Sequence, residues 1–146
     1  MDPQEIIDAN HYMTLGTADA SGLPWLSPVY FVADGYRDFY WISKPSALHS
    51  RNLAVRPELS IVIYDSTVPV YHGEAVYLAA EGALVPDEEL DTSLAIYNSP
   101  AGVRGAPLFD RTELEAGARL RLYRASVREA WALDNTRDER IPVQLS

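Results

Sequence analysis

The chain has no cysteine. Without thiols it can build neither a disulfide framework nor a zinc–thiolate site, and it cannot use thiol catalysis. Long apolar runs are missing too, since none approaches the roughly 18 residues of a membrane span. The first residues lack the basic-then-apolar order of a secretory signal peptide. We therefore expect a cytoplasmic protein that has no partner in a membrane.

Basic residues are scarce. The 146-residue chain carries 12 Lys and Arg against 21 Asp and Glu, a formal net charge of -9. A broad nucleic-acid surface needs the opposite balance, so no nucleic-acid partner is expected. Hydrophobic residues make up 47% of the chain, enough for a globular protein with a core. We expect a single domain over residues 1–146.

Several catalytic and ligand motifs are absent as well. Neither Ser27 nor Ser50 lies in a Gly-x-Ser-x-Gly elbow, which argues against a serine hydrolase. The three histidines, at positions 11, 49 and 72, lack the spacing of a metal site. No glycine-rich phosphate-binding loop of either common kind is present. Metal ligation and these common catalytic classes are therefore not expected.

Apolar and polar residues alternate along much of the chain, a pattern typical of strands. An Asp-Pro-Gln-Glu start predicts a helix ending near Asn10, and Pro28 inside a strand predicts an edge position or a bulge. Further helices are predicted over 46–55 and from 87 to about 97, and residues 99–118 are expected to be irregular. Strands are predicted over 12–18, 25–32, 39–43, 59–64, 75–85 and 119–133, with a short one over 141–145. Crossover helices are missing between most strands, so the pattern favours a mainly β (α+β) fold, an antiparallel barrel of six or seven strands.

A polar cluster follows the third predicted strand. Hydroxyls, cations and a helix start share about ten residues, which suits a phosphate group. Its members are Ser43, Lys44, His49, Ser50, Arg51 and Asn52. In an acidic chain such a cationic cluster suggests a local anion. The alternative is a short surface helix that turns His and Arg to water.

Aromatic residues are numerous, with three tryptophans and nine tyrosines. Aromatic side chains usually pack in cores, and that is the default for each of them. However, Trp25, Trp41 and Trp131 all lie on or beside predicted strands, two of which lead towards the polar cluster. Aromatic walls beside an anion site would suit a planar ring that bears a phosphate tail.

An ordered set of segments carries a resemblance to a known family. The segments are Met13–Val29, Phe39–Ser43, His49–Glu58 and Ala80–Ala83. Together they resemble the pyridoxamine 5'-phosphate oxidase-like FMN-binding split barrels, over almost the whole chain. The resemblance implies a six-stranded split barrel whose partner is a second copy of the same chain. The two copies would form an obligate homodimer with two flavin sites at the dimer interface.

The resemblance also implies particular cofactor contacts. The second strand would line the flavin ring, the end of the third strand and the following helix would hold the ribityl phosphate, and a Trp and an Arg near the C-terminus would come from the partner chain. The family's lysine falls on His49 and its preceding arginine on Leu48, so Arg51 is the candidate replacement cation. The cofactor-binding residues implied in this way are Leu26, Ser27, Pro28, Val29, Ile42, Ser43, His49, Ser50, Arg51, Trp131 and Arg140.

The sequence departs from the vitamin B6 oxidase itself. The basic set that binds the phosphate of the vitamin substrate is not found, and Tyr77 falls near the position of a flavin-contacting glutamine. The expected function is therefore a flavin-dependent oxidoreductase that binds FMN and acts on a small molecule of another kind. Tyr30, Trp41 and His72 are candidates to line its substrate pocket. The alternatives are an F420-dependent reductase and a non-catalytic flavin- or haem-binding carrier or sensor.

Overall fold

The computed structural model describes residues 2–146. Along the chain the helices and strands are α1 (Pro3–Ala9), β1 (Tyr12–Ala18), β2 (Pro24–Tyr30), β3 (Val32–Asp34), β4 (Asp38–Ser43), α2 (Leu48–Val55), β5 (Glu58–Tyr64), β6 (Ala75–Leu84), α3 (Asp87–Asn98), α4 (Ala101–Arg104), β7 (Arg121–Asp134) and β8 (Glu139–Val143). A single 3₁₀ turn at Arg111–Glu113 lies between α4 and β7. The mainly β, antiparallel fold predicted from the sequence is confirmed.

The first helix begins as its sequence indicates. The Asp2 carboxylate accepts a hydrogen bond from the Gln4 amide, and the Glu5 carboxylate accepts one from the Asp2 amide. Pro3 occupies the first helical position, where its missing N–H costs nothing. These reciprocal bonds satisfy donors that the first turn leaves free.

The strands form one antiparallel sheet in the order β2-β1-β5-β6-β7-β4-β3, with β8 added to β7. Only Phe31 separates β2 from β3, yet the two strands lie at opposite ends of this order. The sheet must therefore curl until its ends meet at Phe31, which is fully buried. This curl makes the barrel.

The barrel separates two apolar clusters. The interior holds the inward side chains of the curled sheet, among them Leu15, Ile61, Leu78 and Trp41. A second cluster lies outside the barrel, where α3 covers β3, β4 and β7. The outward face of β1, β2, β5, β6 and the far end of β7 has no such helical cover. Its exposed apolar side chains include Tyr12, Leu26 and Tyr64.

Helix α2 packs against β1, β2 and β6. Leu53 inserts into the barrel core, and the Asn52 side-chain amide donates a hydrogen bond to the Thr17 hydroxyl at 3.1 Å. The loop that precedes α2 leaves the barrel directly after Ser43. The end of β4 and the start of α2 are thereby held together at this end of the barrel.

Some predicted boundaries are wrong. The second strand does not run unbroken from Trp25 to Val32, because closing the sheet requires the bend at Phe31. The segment predicted to be irregular, 99–118, contains α4 and the 3₁₀ turn. The last strand begins at Glu139 rather than Ile141. Pro28 does lie in a strand at the end of the sheet order, as an edge residue should.

Gly82 provides a test of the packing between α2 and β6. A Cβ atom at this position would lie 3.2 Å from Leu59 Cδ2 and 3.3 Å from Leu53 Cδ1. We expect Gly82→Val to lower the free energy of unfolding by about 1–3 kcal/mol, because the larger side chain overpacks this junction. Gly102→Val is the matched control, since nothing lies within 4 Å of a Cβ there. Equal urea midpoints for the two variants would contradict this account.

Candidate functional site

The end of β4 and the first turn of α2 bring two predicted site residues together. Ser43 Oγ and His49 Nε2 share a hydrogen bond of 2.8 Å. Burial lowers the pKa of the His49 imidazole, because desolvation disfavours its charged form. At neutral pH this pair therefore offers neutral hydrogen-bonding groups and no fixed positive charge.

The start of α2 adds further donors. No side chain caps the helix at Ala47. The amides of the first turn have no partner within the helix, and the helix dipole gives this end a partial positive charge. An anionic group beside Ser43 and His49 would meet these amides. The region therefore has the donors of a phosphate site, and the exposed Lys44, directly after Ser43, is the cation next to it in sequence.

The predicted ring-binding strand presents two different faces. Ser27 and Val29 point into the barrel and are buried, whereas Leu26 and Pro28 point outwards and are exposed. A planar ring outside the barrel can therefore contact the side chains of Leu26 and Pro28. Of Ser27 and Val29 it can reach only the backbone.

A second group of predicted residues lies elsewhere on the outer face. Tyr77 is the register partner of Trp131 across β6 and β7. The Arg140 guanidinium on β8 lies over the Tyr77 ring, with its central carbon 3.8 Å from the ring centroid. These three residues, which we call the aromatic–arginine cluster, border a groove of about 410 Å³. The cluster joins the two C-terminal residues of the predicted site to Tyr77.

The two groups are far apart in one protomer. Ser43 pairs with Arg121 at the start of β7, and Trp131 comes ten residues later on the same strand. At about 3.3 Å per strand residue, the separation along β7 is about 30 Å. One FMN molecule cannot bridge that distance. Leu26 borders the same groove as the aromatic–arginine cluster, from the β2 side.

Three predicted contacts point away from the Ser43–His49 pair. The half-buried side chain of Ile42 packs outside the barrel against the second apolar cluster. Ser50 and Arg51 line a different cavity, which also borders the end of β6. Successive helical residues project about 100° apart, so one ligand group does not face His49 and Arg51 together. The structure thus divides the polar cluster seen in the sequence.

The predicted substrate-pocket residues also separate. Trp41 is fully buried and stacks on Tyr123, so it has no surface to offer a ligand; that prediction is wrong for the protomer. The Tyr30 ring packs against the Tyr97 ring in an edge-to-face contact, with the ring centroids 5.7 Å apart. His72 is exposed in the loop between β5 and β6. The structure does not gather these three residues into one pocket.

Sequence reasoning missed the floor of the groove. Gly16, Ser60 and Ala79 are register partners across β1, β5 and β6, and all three border the groove. Each occupies an outward position on its strand, and their small side chains leave room between Leu26 and Trp131. The sequence does offer one signal for this floor, which is a small residue at an outward position of each of the three strands. The register that aligns the three cannot be read from one sequence.

Residues 3–123 match the family described as pyridoxamine 5'-phosphate oxidase. The chain belongs to this family. The matched region contains the Ser43–His49 pair and Tyr77 but ends before Trp131 and Arg140. No curated protein matches the sequence.

Solved structures with the same fold bind different cofactors, according to their descriptions. The chain is similar to a haem-binding protein from Mycobacterium smegmatis, with a TM-score of 0.73 and 19% identity, over 95% of this chain but only 55% of that one. It is also similar to an F420 reductase, with a TM-score of 0.64 and 17% identity, over 89% of this chain and 96% of that one. For a FAD-binding protein from Mesorhizobium loti the TM-score is 0.68 and the identity 16%, over 90% of this chain and 91% of that one. At these identities the similarity establishes the fold.

The residues present suit a cofactor that has a planar ring and an anionic tail. The donors beside Ser43 suit an anionic tail, and the aromatic–arginine cluster suits a planar ring. Within residues 2–146 no three His, Asp or Glu side chains are placed to hold a metal.

No helix of the described chain is long and apolar enough to cross a membrane.

The half-buried imidazole of His49 predicts a pH dependence of stability. Its pKa is lowered on folding from 6.5, so below about pH 6.5 the unfolded chain binds a proton that the folded chain does not. His49 therefore contributes stability above this pH and loses it as the pH falls towards its folded pKa. We expect His49→Asn to reduce the difference in unfolding free energy between about pH 7.5 and about pH 5.5. Urea titrations at both pH values measure it.

His11→Asn is the control, because His11 is exposed. In this variant the unfolding free energy should differ between the two pH values by as much as it does in the parent protein. If His49→Asn and His11→Asn change the difference equally, burial of His49 is not its cause.

Proposed function

We propose that the protein is a cytoplasmic, homodimeric, flavin-dependent oxidoreductase that binds FMN non-covalently in two clefts shared between its subunits. The observation that carries the proposal is that the Ser43–His49 pair and Trp131 lie at opposite ends of β7, ten residues or about 30 Å apart at the rise of an extended strand. The Ser43–His49 pair suits the phosphate of a flavin nucleotide and Trp131 suits its ring, and the two groups of one protomer cannot contact the same molecule. In a dimer with a two-fold axis, each flavin can contact the pair of one subunit and the Trp131 of the other, which gives two sites.

The exposed outer face supports the dimer. Leu26 is 71% exposed, Tyr12 65% and Tyr64 51%, and all three side chains lie on the face without helical cover. The groove floored by small residues runs across the same face. A second copy packed here would bury the apolar side chains and bring its own aromatic–arginine cluster towards β2.

The proposed roles follow from position. Ser43, His49 and the first turn of α2 hold the phosphate, while the β2 backbone with Leu26 and Pro28 supports one face of the ring. The partner subunit's Trp131 and Arg140 close the cleft and exclude water. Bound FMN supplies hydride transfer at its ring, so the chain needs few catalytic side chains of its own.

The lack of a fixed cation at the two positions that are cationic in the family, Leu48 and His49, favours F420 as a second candidate. A phosphate monoester such as that of FMN carries between one and a half and two negative charges at neutral pH, whereas the phosphodiester of F420 carries one. Leu48 and the neutral His49 occupy the positions that are cationic in the family, so a less charged phosphate costs less to bind here. The structural similarity to an F420 reductase agrees with this candidate.

The absorption spectrum of the purified protein tests the cofactor class directly, because FMN, F420 and haem differ in their visible bands. Turnover of NAD(P)H or of reduced F420 then distinguishes an enzyme from a carrier or sensor. A haem spectrum would overturn the flavin proposal. So would a protein that binds none of the three when each is added.

The phosphate contact predicts a preference for FMN over riboflavin, which has the same ring and no phosphate. We expect the phosphate to contribute about 1.5–3 kcal/mol to binding, the range for hydrogen bonds to charged groups. Ser43→Ala should remove part of this difference, because the phosphate loses a hydroxyl donor. Fluorescence titration of both ligands measures the difference.

Ser46→Ala is the matched control, since Ser46 is exposed in the loop before α2. It should leave the preference for FMN unchanged. Equal affinity of the parent protein for FMN and riboflavin would place the phosphate away from Ser43.

Mixed dimers test the shared cleft. His49→Asp puts a negative charge at the phosphate end, and Arg140→Glu disables the aromatic–arginine cluster; each should abolish tight FMN binding in its homodimer. After the two variants are unfolded together and refolded, each mixed dimer has one cleft with both defects and one with neither. FMN binding should therefore return in the mixture.

The control is a mixture of His49→Asp with His49→Asp,Arg140→Glu, in which no intact cleft can form. Recovery in the control as well would mean that refolding itself restores binding. No recovery in the first mixture, with mixed dimers demonstrated by mass spectrometry, would place both groups in separate sites. A monomer at micromolar concentration by light scattering would also contradict the proposal.

A further inference from the structure

A second cavity lies beside α2, on the flank opposite the Ser43–His49 pair. Its volume is about 360 Å³, within the range of small-molecule sites. It is walled by the α2 helix, by the end of β6 and by the first residues of β7. Its lining residues are Pro45, Ser50, Arg51, Leu53, Ala54, Pro57, Gly82, Ala83, Leu84 and Tyr123. Most of this wall is hydrocarbon, so the cavity favours an apolar body.

One polar group in the wall lacks a partner. Ser50 is 4% exposed, and its hydroxyl makes no hydrogen bond in the described structure. An enclosed hydroxyl without an acceptor destabilises the fold. Because Ser50 lines the cavity, rotation about χ1 between staggered positions can turn the hydroxyl towards an acceptor placed there. A bound ligand with an oxygen atom at this wall would remove the penalty.

The second polar group is a free cation. Five arginines of the described chain form ion pairs with carboxylates: Arg111, Arg121, Arg124, Arg128 and Arg137. Arg51 is exposed and, like five other arginines, forms no ion pair within the described residues. Its long side chain starts at the cavity mouth and can fold over it. A guanidinium in this position suits a planar carboxylate.

We propose that this cavity binds a small molecule with an apolar body and one carboxylate. The body lies against Leu53, Leu84 and Tyr123, while the carboxylate at the mouth pairs with Arg51 and accepts a hydrogen bond from Ser50. Inorganic phosphate does not fit, because the apolar walls leave most of its oxygens without donors. The site is separate from the FMN cleft and goes beyond the proposed oxidoreductase function.

Tyr123 connects the cavity to a spectroscopic reporter. Its ring stacks on Trp41 with the ring centroids 5.7 Å apart. A ligand against Tyr123 therefore changes the surroundings of the Trp41 indole. Trp131 lies eight residues further along β7 than Tyr123, about 26 Å away at the rise of a strand. The indole N–H signals of the two tryptophans can report on the two sites separately.

The experiment titrates the full chain with hydrocinnamate, an aromatic ring with a carboxylate on a short tail. Proton–nitrogen correlation spectra follow the indole signals, which single Trp→Phe variants assign. We expect a saturable shift of the Trp41 signal without a shift of the Trp131 signal. Hydrocinnamyl alcohol, which has the same body without the charge, should bind at least about tenfold more weakly because the ion pair is lost.

Variants then test the two polar groups. Arg51→Gln should weaken hydrocinnamate binding about tenfold, whereas Arg119→Gln, at an exposed arginine without an ion pair, should not change it. Ser50→Ala should weaken binding and also raise the melting temperature of the ligand-free protein, because the unpaired hydroxyl is removed. Ala54→Leu should fill the cavity and abolish binding.

FMN titrations of the same variants separate this proposal from the oxidoreductase function. Arg51→Gln and Ser50→Ala should leave FMN affinity unchanged. Loss of FMN affinity in both would assign these residues to the cofactor cleft and overturn the second site. A shift of the Trp131 signal instead of the Trp41 signal, or no saturable shift at all, would also overturn it.

Discussion

The strand β7 is the constraint on which the rest of the molecule depends. Over Arg121–Asp134 it pairs with β4, with β6 and finally with β8, so it joins both sides of the curled sheet. Its first residues lie opposite the end of β4, where Ser43 meets His49. Its last residues carry Trp131 and support Arg140 on β8. The length of one strand therefore sets the distance between the two groups that resemble parts of a flavin site.

Closure of the barrel decides which side chains a ligand can reach. The bend at Phe31 makes one face of every strand interior and leaves the other for helices or a partner. The helix α3 covers the outer face at β3 and β4, and this cover removes Ile42 and Tyr30 from any ligand site on that side. The outer face at β1, β5 and β6 keeps its apolar side chains and its groove. A site for a planar ring is therefore available only where α3 is absent.

Much of this arrangement can be predicted from the sequence, and the failures have physical causes. Alternation along a strand sets the face of each side chain, and it separates Leu26 and Pro28 from Ser27 and Val29 in the structure. The cluster from Ser43 to Asn52 is compact in sequence but divided in space, because residues one apart on α2 point about 100° apart. Trp41 looks like an available aromatic wall, yet its place on β4 turns it into the core. The contact between Arg140 and Tyr77 depends on the register of β8 and β7, which one sequence does not reveal.

The electrostatics of the proposed FMN cleft link cofactor binding to assembly. With Leu48 and a neutral His49 at the cationic positions of the family, the proposed phosphate contacts are the Ser43–His49 pair and the partial charge of a helix end. In this proposal the ring contacts carry more of the affinity, and the partner subunit's Trp131 and Arg140 supply some of them. A ligand that binds the dimer and not the monomer stabilises the dimer by an amount that grows with the logarithm of ligand concentration. In the proposed dimer, cofactor binding and assembly therefore stabilise each other, and this coupling matters more when a protomer alone holds the phosphate weakly.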